Sequence, residues 1–231
     1  MQIDLFPLWL SLRIAVIAVT IVFFLSLFLA RFFVKKDFFG KDFIEALITL
    51  PMVLPPTVIG LILLVLFGKN GIFGIMLKEL FNIELVFNWL GGVIAAIVVA
   101  FPLMYQSAVA GFKSVDPKLE LVAETLGASK LKVFWTVVVP LTWPSLLSGL
   151  VLSFTRGLGE FGASMMVMGF VPGKTNTLPI EIFFAVQRGD IKGATIWAVV
   201  LIIFSLLVIY FLGFWSKKNL LKFMGDRVGV K

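Results

Sequence analysis

Apolar residues run through this chain in five long blocks separated by polar segments, and that alternation predicts most of its elements. The blocks are roughly Leu8–Phe33, Ile44–Phe67, Leu90–Phe112, Ser145–Met168 and Ala194–Trp215. Each is about 20 residues or longer, enough for a helix to cross a bilayer core about 30 Å thick. Lipid offers no partner to an open backbone, so such blocks are predicted to be helical. The pattern changes between the third and fourth blocks. Ser114 to Pro144, SVDPKLELVAETLGASKLKVFWTVVVPLTWP, combines mixed charge with helical periodicity. Asp116 is suited to cap a helix beginning at Pro117, where a missing N–H costs nothing. Leu119, Val122, Ala123 and Leu126 recur as one apolar stripe. Gly127 suits the left-handed conformation that stops a helix. Ser129 is suited to cap a second short helix carrying Leu131, Phe134, Trp135 and Val138 on one face, closed by Pro140 and Pro144. Two short amphipathic helices meeting at a glycine turn are therefore expected over about residues 113–143. A further short interfacial helix is expected near Leu77, Leu80 and Phe81.

Composition fixes the class. The chain has 231 residues, 60% of them hydrophobic and 14% charged, with a mean hydropathy of +1.08. A soluble domain of this length cannot hide that much apolar surface. The expected fold is all-α, a polytopic transmembrane bundle of about five spans forming a single domain over residues 1–231. Histidine and cysteine are both absent, which excludes disulfides, thiolate zinc sites and a histidine base. The N-terminus opens with Asp4 and lacks the basic region of a cleavable signal, so the first block is expected to stay as a span.

Charge orients the spans. Arg31, Lys35, Lys36 and Lys41 follow the first block. Lys113, Lys118, Lys130 and Lys132 lie in the amphipathic loop, and Lys217, Lys218, Lys222, Arg227 and Lys231 in the tail. The other side carries only Lys69, Lys78, Lys174, Arg188 and Lys192. The positive-inside rule then predicts an outside N-terminus, a cytoplasmic C-terminus and a cytoplasmic amphipathic loop. Arg13, near the outer end of the first block, reads as snorkelling toward the headgroups.

Several patterns resemble chemistry. Gly157, Gly159 and Gly162 spell GxGxxG, but a dinucleotide site needs a strand before them and they sit in an apolar block. GFVPGKT, Gly169 to Thr175, is one residue short of a phosphate-binding loop. Pro51, Pro55, Pro56 and Gly60 predict a kink in the second block. Such a kink either flanks a translocation path, exposing Pro55 and Thr57 to it, or is structural only. Arg156 and Glu160 lie four apart in the fourth block, where charges are rare and point into the protein. Either Arg156 meets an anion while Glu160 holds it in place, or the two neutralise each other and lock packing.

Two of these segments carry a resemblance. The amphipathic loop resembles the cytoplasmic coupling loop of ABC importer permeases, with Ala123 at the second alanine of its Glu-Ala-Ala motif, Gly127 at its glycine and Pro140-Leu141 at its close. Leu121 stands where glutamate is usual and Val122 where alanine is, with Glu120 and Glu124 beside them. The string Arg156 to Pro179, RGLGEFGASMMVMGFVPGKTNTLP, closely resembles the corresponding segment of molybdate/tungstate ABC permease subunits. The resemblance implies a prokaryotic plasma-membrane permease that catalyses no bond chemistry and imports molybdate or tungstate by alternating access. It implies a second copy of the chain, a cytoplasmic ABC ATPase dimer holding ATP and Mg, and an extracytoplasmic molybdate/tungstate-binding protein as partners. No nucleic acid is expected, and no cofactor on this chain. It places ATPase coupling on Glu120, Ala123, Glu124, Gly127 and Ala128, and puts Arg156, Glu160, Pro55 and Thr57 beside the path. A sulfate or thiosulfate permease is the alternative within the class. An intramembrane enzyme using Glu160 is the alternative outside it, though no second carboxylate falls in that block.

Overall fold

A computed structural model describes residues 4–228 of the chain. Lys231, counted among the basic tail residues, lies outside the described residues. Every regular element described is a helix: α1 (Phe6–Lys35), α2 (Lys41–Thr49), α3 (Pro56–Phe67), α4 (Ile72–Phe81), α5 (Trp89–Lys113), α6 (Pro117–Thr125), α7 (Lys130–Leu158), α8 (Gly162–Met168), α9 (Leu178–Gln187) and α10 (Ile191–Val228). Helices α1, α5, α7 and the Ile191–Phe211 part of α10 are each long and apolar enough to cross a membrane. The bent pair Lys41–Met52 and Pro56–Phe67 makes a fifth crossing if taken as one span. The all-α polytopic architecture read from the apolar blocks is the one observed.

Helix α5 forms the spine, packed between α1 and α7. Its buried face is rich in small residues, Ala95, Ala96, Ala100 and Ala108, which let neighbouring backbones approach closely. The Ser153 hydroxyl of α7 donates to the Ala100 carbonyl of α5 at 3.1 Å. Toward the amphipathic loop, Leu27 and Phe33 of α1 meet Met104 and Phe112 of α5 and Val138 and Leu146 of α7. At the other end, Leu10 and Ile14 of α1 meet Val93 of α5, Met168 of α8 and Ile180 of α9. Helix α10 contacts α9 and α7 but leaves its apolar window largely uncovered, with only 6% of it buried.

Three expectations change. The fourth span does not run from Ser145 to Met168. It starts at Lys130, ends at Leu158, and is followed by a break before the short α8. Consequently there is no separate second helix closed by Pro140 and Pro144. The backbone ladder widens over Phe134–Val138, where the Val139 N–H reaches back five residues to the Phe134 carbonyl. This widened turn lies within α7 and leads into its Val139–Leu158 part, with Pro140 in the first turn of that part and Pro144 inside it. Wide turns of this kind relieve a ladder that has lost a donor. The second block is not one kinked helix but two helices bent by 112°, with Pro55 and Pro56 starting the second. A helix does form at the residues expected near Leu77, as α4. Helix α9 was not anticipated from the pattern.

Candidate functional site

The amphipathic loop forms locally as its residues dictate. Asp116 accepts a hydrogen bond from the Lys118 N–H at 2.9 Å, with Pro117 opening α6. Gly127 adopts φ +86°, a conformation in which a Cβ is penalised. The Gly127 N–H donates to the Glu124 carbonyl and the Ala128 N–H to the Ala123 carbonyl, closing the helix end. Ser129 then caps α7 by accepting from the Lys132 N–H.

The faces of this turn are reversed relative to the apolar stripe. Leu119, Val122 and Leu126 of the stripe are exposed, Leu126 at 83%. Leu121, Leu131 and Trp135 are exposed as well. The inward residues are Ala123 and Ala128, packed on the core, and Glu120, which is buried. Of the face expected on α7, Phe134 and Val138 are buried and Leu131 and Trp135 are not.

Glu120 is consumed internally. Its carboxylate takes both guanidinium nitrogens of Arg31, at 3.1 and 2.5 Å, and the Lys35 ammonium at 3.0 Å. Such bidentate, charge-assisted bonds are the strong ones. The Arg31 guanidinium also lies 6.0 and 5.8 Å from the ring centres of Phe112 and Phe134. One arginine on α1 thus touches the ends of α5, α6 and α7. Burial pushes the Glu120 carboxyl upward, but the hydrogen bonds and charges of Arg31 and Lys35 outweigh it and hold the carboxyl below its ordinary range. Glu120 is therefore not a free acidic contact for a partner. Glu124 is only partly exposed and lines the same cleft as Glu120, Arg31 and Lys35.

The second constellation lies at the break between α7 and α8. Arg156 and Glu160 do not share one helical face, because the helix ends at Leu158. They pair nonetheless, Arg156 Nη1 donating to Glu160 Oε2 at 2.5 Å. Glu160 Oε1 accepts the Ala163 N–H at 2.7 Å, capping α8. The Glu160 side chain is 1% exposed and the Arg156 side chain 34% exposed. Both Glu160 oxygens accept hydrogen bonds, a poor state for a proton-transfer base. Arg156 uses one of five N–H donors on Glu160 and keeps an open side.

The bend of the second span packs against this break. A Cβ on Gly162 would lie 2.8 Å from Pro56 Cβ, and one on Gly60 would lie 2.9 Å from the Ala163 Cα. Close backbone approach thus sets the start of α3 beside the start of α8. Pro55 and Thr57 are exposed at that bend. The path residues expected from sequence accordingly fall at one place in the fold, while the coupling residues fall at another.

Residues 22–225 match the family described as binding-protein-dependent transport system inner membrane component. The chain belongs to this family. It is 44% identical over 206 residues to the putative molybdenum transport system permease protein of Bacillus subtilis, covering 89% of this chain and 91% of that one. It is 40% identical over 221 residues to the molybdenum transport system permease protein of Haemophilus influenzae, covering 94% and 95%. A sulfate transport system permease protein of Salmonella typhimurium is 36% identical over 185 residues, covering 80% of this chain and 66% of that one. Among solved structures, a bacterial ABC transporter that imports alginate superposes with a TM-score of 0.75 at 15% identity, covering 94% of this chain and 80% of that one. That likeness shows the permease fold.

Proposed function

We propose that this inner-membrane component is the membrane-spanning subunit of an ATP-driven importer that carries molybdate or tungstate into the cytoplasm. The observation that carries the substrate is the match along nine-tenths of the molybdenum permease of Bacillus subtilis, against two-thirds of the sulfate permease. The unit is a pair of these chains, with the N-termini outside and the C-termini in the cytoplasm. A cytoplasmic ATPase dimer holds ATP and Mg, and an extracytoplasmic protein delivers the oxyanion.

The exposed apolar edge of the turn, from Leu119 to Trp135, is the surface that seats on the ATPase. An apolar edge left in water invites a partner. Ala123, Gly127 and Ala128 shape the turn, and Glu120 fastens it to α1 through Arg31. When ATP draws the ATPase subunits together, the paired turns follow. The force reaches α5 and α7 where Arg31 joins them, and the spans open outward. Hydrolysis resets the path. Arg156, oriented by Glu160, offers its remaining donors to the passing dianion beside Pro55 and Thr57, and the neutralised pair keeps the bare cation from trapping it. The test is ATP hydrolysis by the reconstituted complex. Molybdate-loaded binding protein is expected to stimulate it well above the rate seen with sulfate as sole anion. Equal stimulation by sulfate alone would move the substrate to the sulfate class.

A further inference from the structure

The end of α1 opposite the coupling turn holds a cation with no acidic partner. Arg13 is partly buried, and among the described residues no carboxylate pairs with it and no hydrogen bond engages its guanidinium. Instead it lies over aromatic rings, 3.9 Å from the centre of Trp89 and 5.0 Å from that of Trp9. Cation–π attraction holds the plane of the group but leaves its edge N–H donors unused. A cavity of about 430 Å³ opens there, lined by Trp9, Arg13, Asn88, Trp89, Lys174 and Thr175 among others. Lys174 is exposed on the loop between α8 and α9. Two cations and two indole rings therefore meet at one cavity.

Its level in the membrane names the ligand. Helix α1 has 30 residues, about 45 Å at 1.5 Å per residue, against a hydrocarbon core of about 30 Å. Both ends of α1 therefore stand among headgroups. Arg13 is two turns in from one end, near the hydrocarbon boundary, where tryptophans gather. An unpaired guanidinium at that depth is costly unless an anion meets it.

We propose that Arg13 and Lys174, between the rings of Trp9 and Trp89, bind the phosphate of an anionic lipid headgroup. In the orientation proposed above this is the outer leaflet, but the chemistry of the site does not depend on that orientation. The fork of Arg13 takes two phosphate oxygens. Lys174 adds charge from above, and the rings flank the glycerol backbone.

The test uses the full chain in detergent, incubated with equal phosphatidylglycerol and phosphatidylcholine and examined by native mass spectrometry. Phosphatidylglycerol adducts are expected to outnumber phosphatidylcholine adducts. Each cation removed, by Arg13→Gln or Lys174→Gln, is expected to lower that ratio about fivefold, the worth of one basic residue near anionic lipid. Lys174→Gln changes only an exposed loop position, so it remains informative if Arg13→Gln folds poorly. An unchanged ratio in Lys174→Gln and in a folded Arg13→Gln would overturn the proposal. So would displacement of the lipid by millimolar inorganic phosphate, which marks a small-anion site. Loss of the dimer with the ratio unchanged would assign Arg13 to a subunit contact instead.

Discussion

Glu120 of α6 and Arg31 of α1, 89 positions apart in the chain, are joined by two parallel hydrogen bonds. The pair makes the turn part of the rigid bundle. Glu120→Gln keeps the shape but removes the charge that Arg31 and Lys35 share. A hydrogen bond to a charged group contributes about 1.5–3 kcal/mol, so a loss of about 2 kcal/mol is expected, read as a lower unfolding midpoint in detergent. Acid should mimic it. The folded pKa of Glu120 is depressed, so its contribution is complete above the unfolded value of about 4.3 and is lost as pH falls through the lower folded value. Stability of the wild type should therefore fall more steeply below pH about 4 than that of Glu120→Gln. Parallel acid profiles would show that the pair contributes nothing.

Gly127 isolates backbone conformation from crowding. Nothing lies within 4 Å of a Cβ built there, yet its φ is +86°. Gly127→Val should insert normally, lose about 1–2 kcal/mol at the turn and leave the assembled complex hydrolysing ATP without transport. Gly127→Asn, which tolerates the left-handed conformation, should keep most transport. Full transport by the valine variant would remove the coupling role from this turn.

The buried pair separates two roles. Arg156→Met strands a carboxylate that is 1% exposed, a change that costs about 3–5 kcal/mol in buried pairs. Glu160→Gln should be milder, because its carbonyl still accepts the Ala163 N–H. The double variant should recover stability by thermal unfolding but not transport, if Arg156 meets the oxyanion. Recovery of both would leave the pair a packing device only.

Much of this architecture is visible in the apolar pattern, and the failures have specific causes. Continuous runs located α1, α5 and the crossing part of α10. The fourth span was misplaced because apolar count cannot distinguish a continuous helix from one broken at Gly159 and resumed at Gly162. Prolines at 140 and 144 read as stops, yet the widened ladder over Phe134–Val138 absorbs the missing donor. The resemblance placed ATPase coupling on Glu120, beside the position where the family's glutamate is usual, and an apolar stripe normally points inward. Here the stripe faces out and the inner face is filled by small residues and a charge from α1, a relationship no local pattern carries. The available signal was Arg31 and Lys35, one turn apart on α1 with no acid of their own. Arg156 and Glu160 were legible as a pair, but the capping of α8 by Glu160 was not, because the helix end was hidden in the apolar run.

Sidedness follows from the same charges. Single cysteines placed at Lys36, Ser129 and Lys174 in intact cells are expected to react with an impermeant thiol reagent only at position 174. Labelling at position 129 from outside would reverse the orientation and remove the turn from the ATPase.

The most direct measurement is oxyanion uptake by sealed vesicles holding this chain, its ATPase and its binding protein. Molybdate and tungstate should accumulate only with ATP, sulfate poorly, and omission of the binding protein should reduce uptake to near background. Uptake that proceeds undiminished without ATP would contradict the importer account.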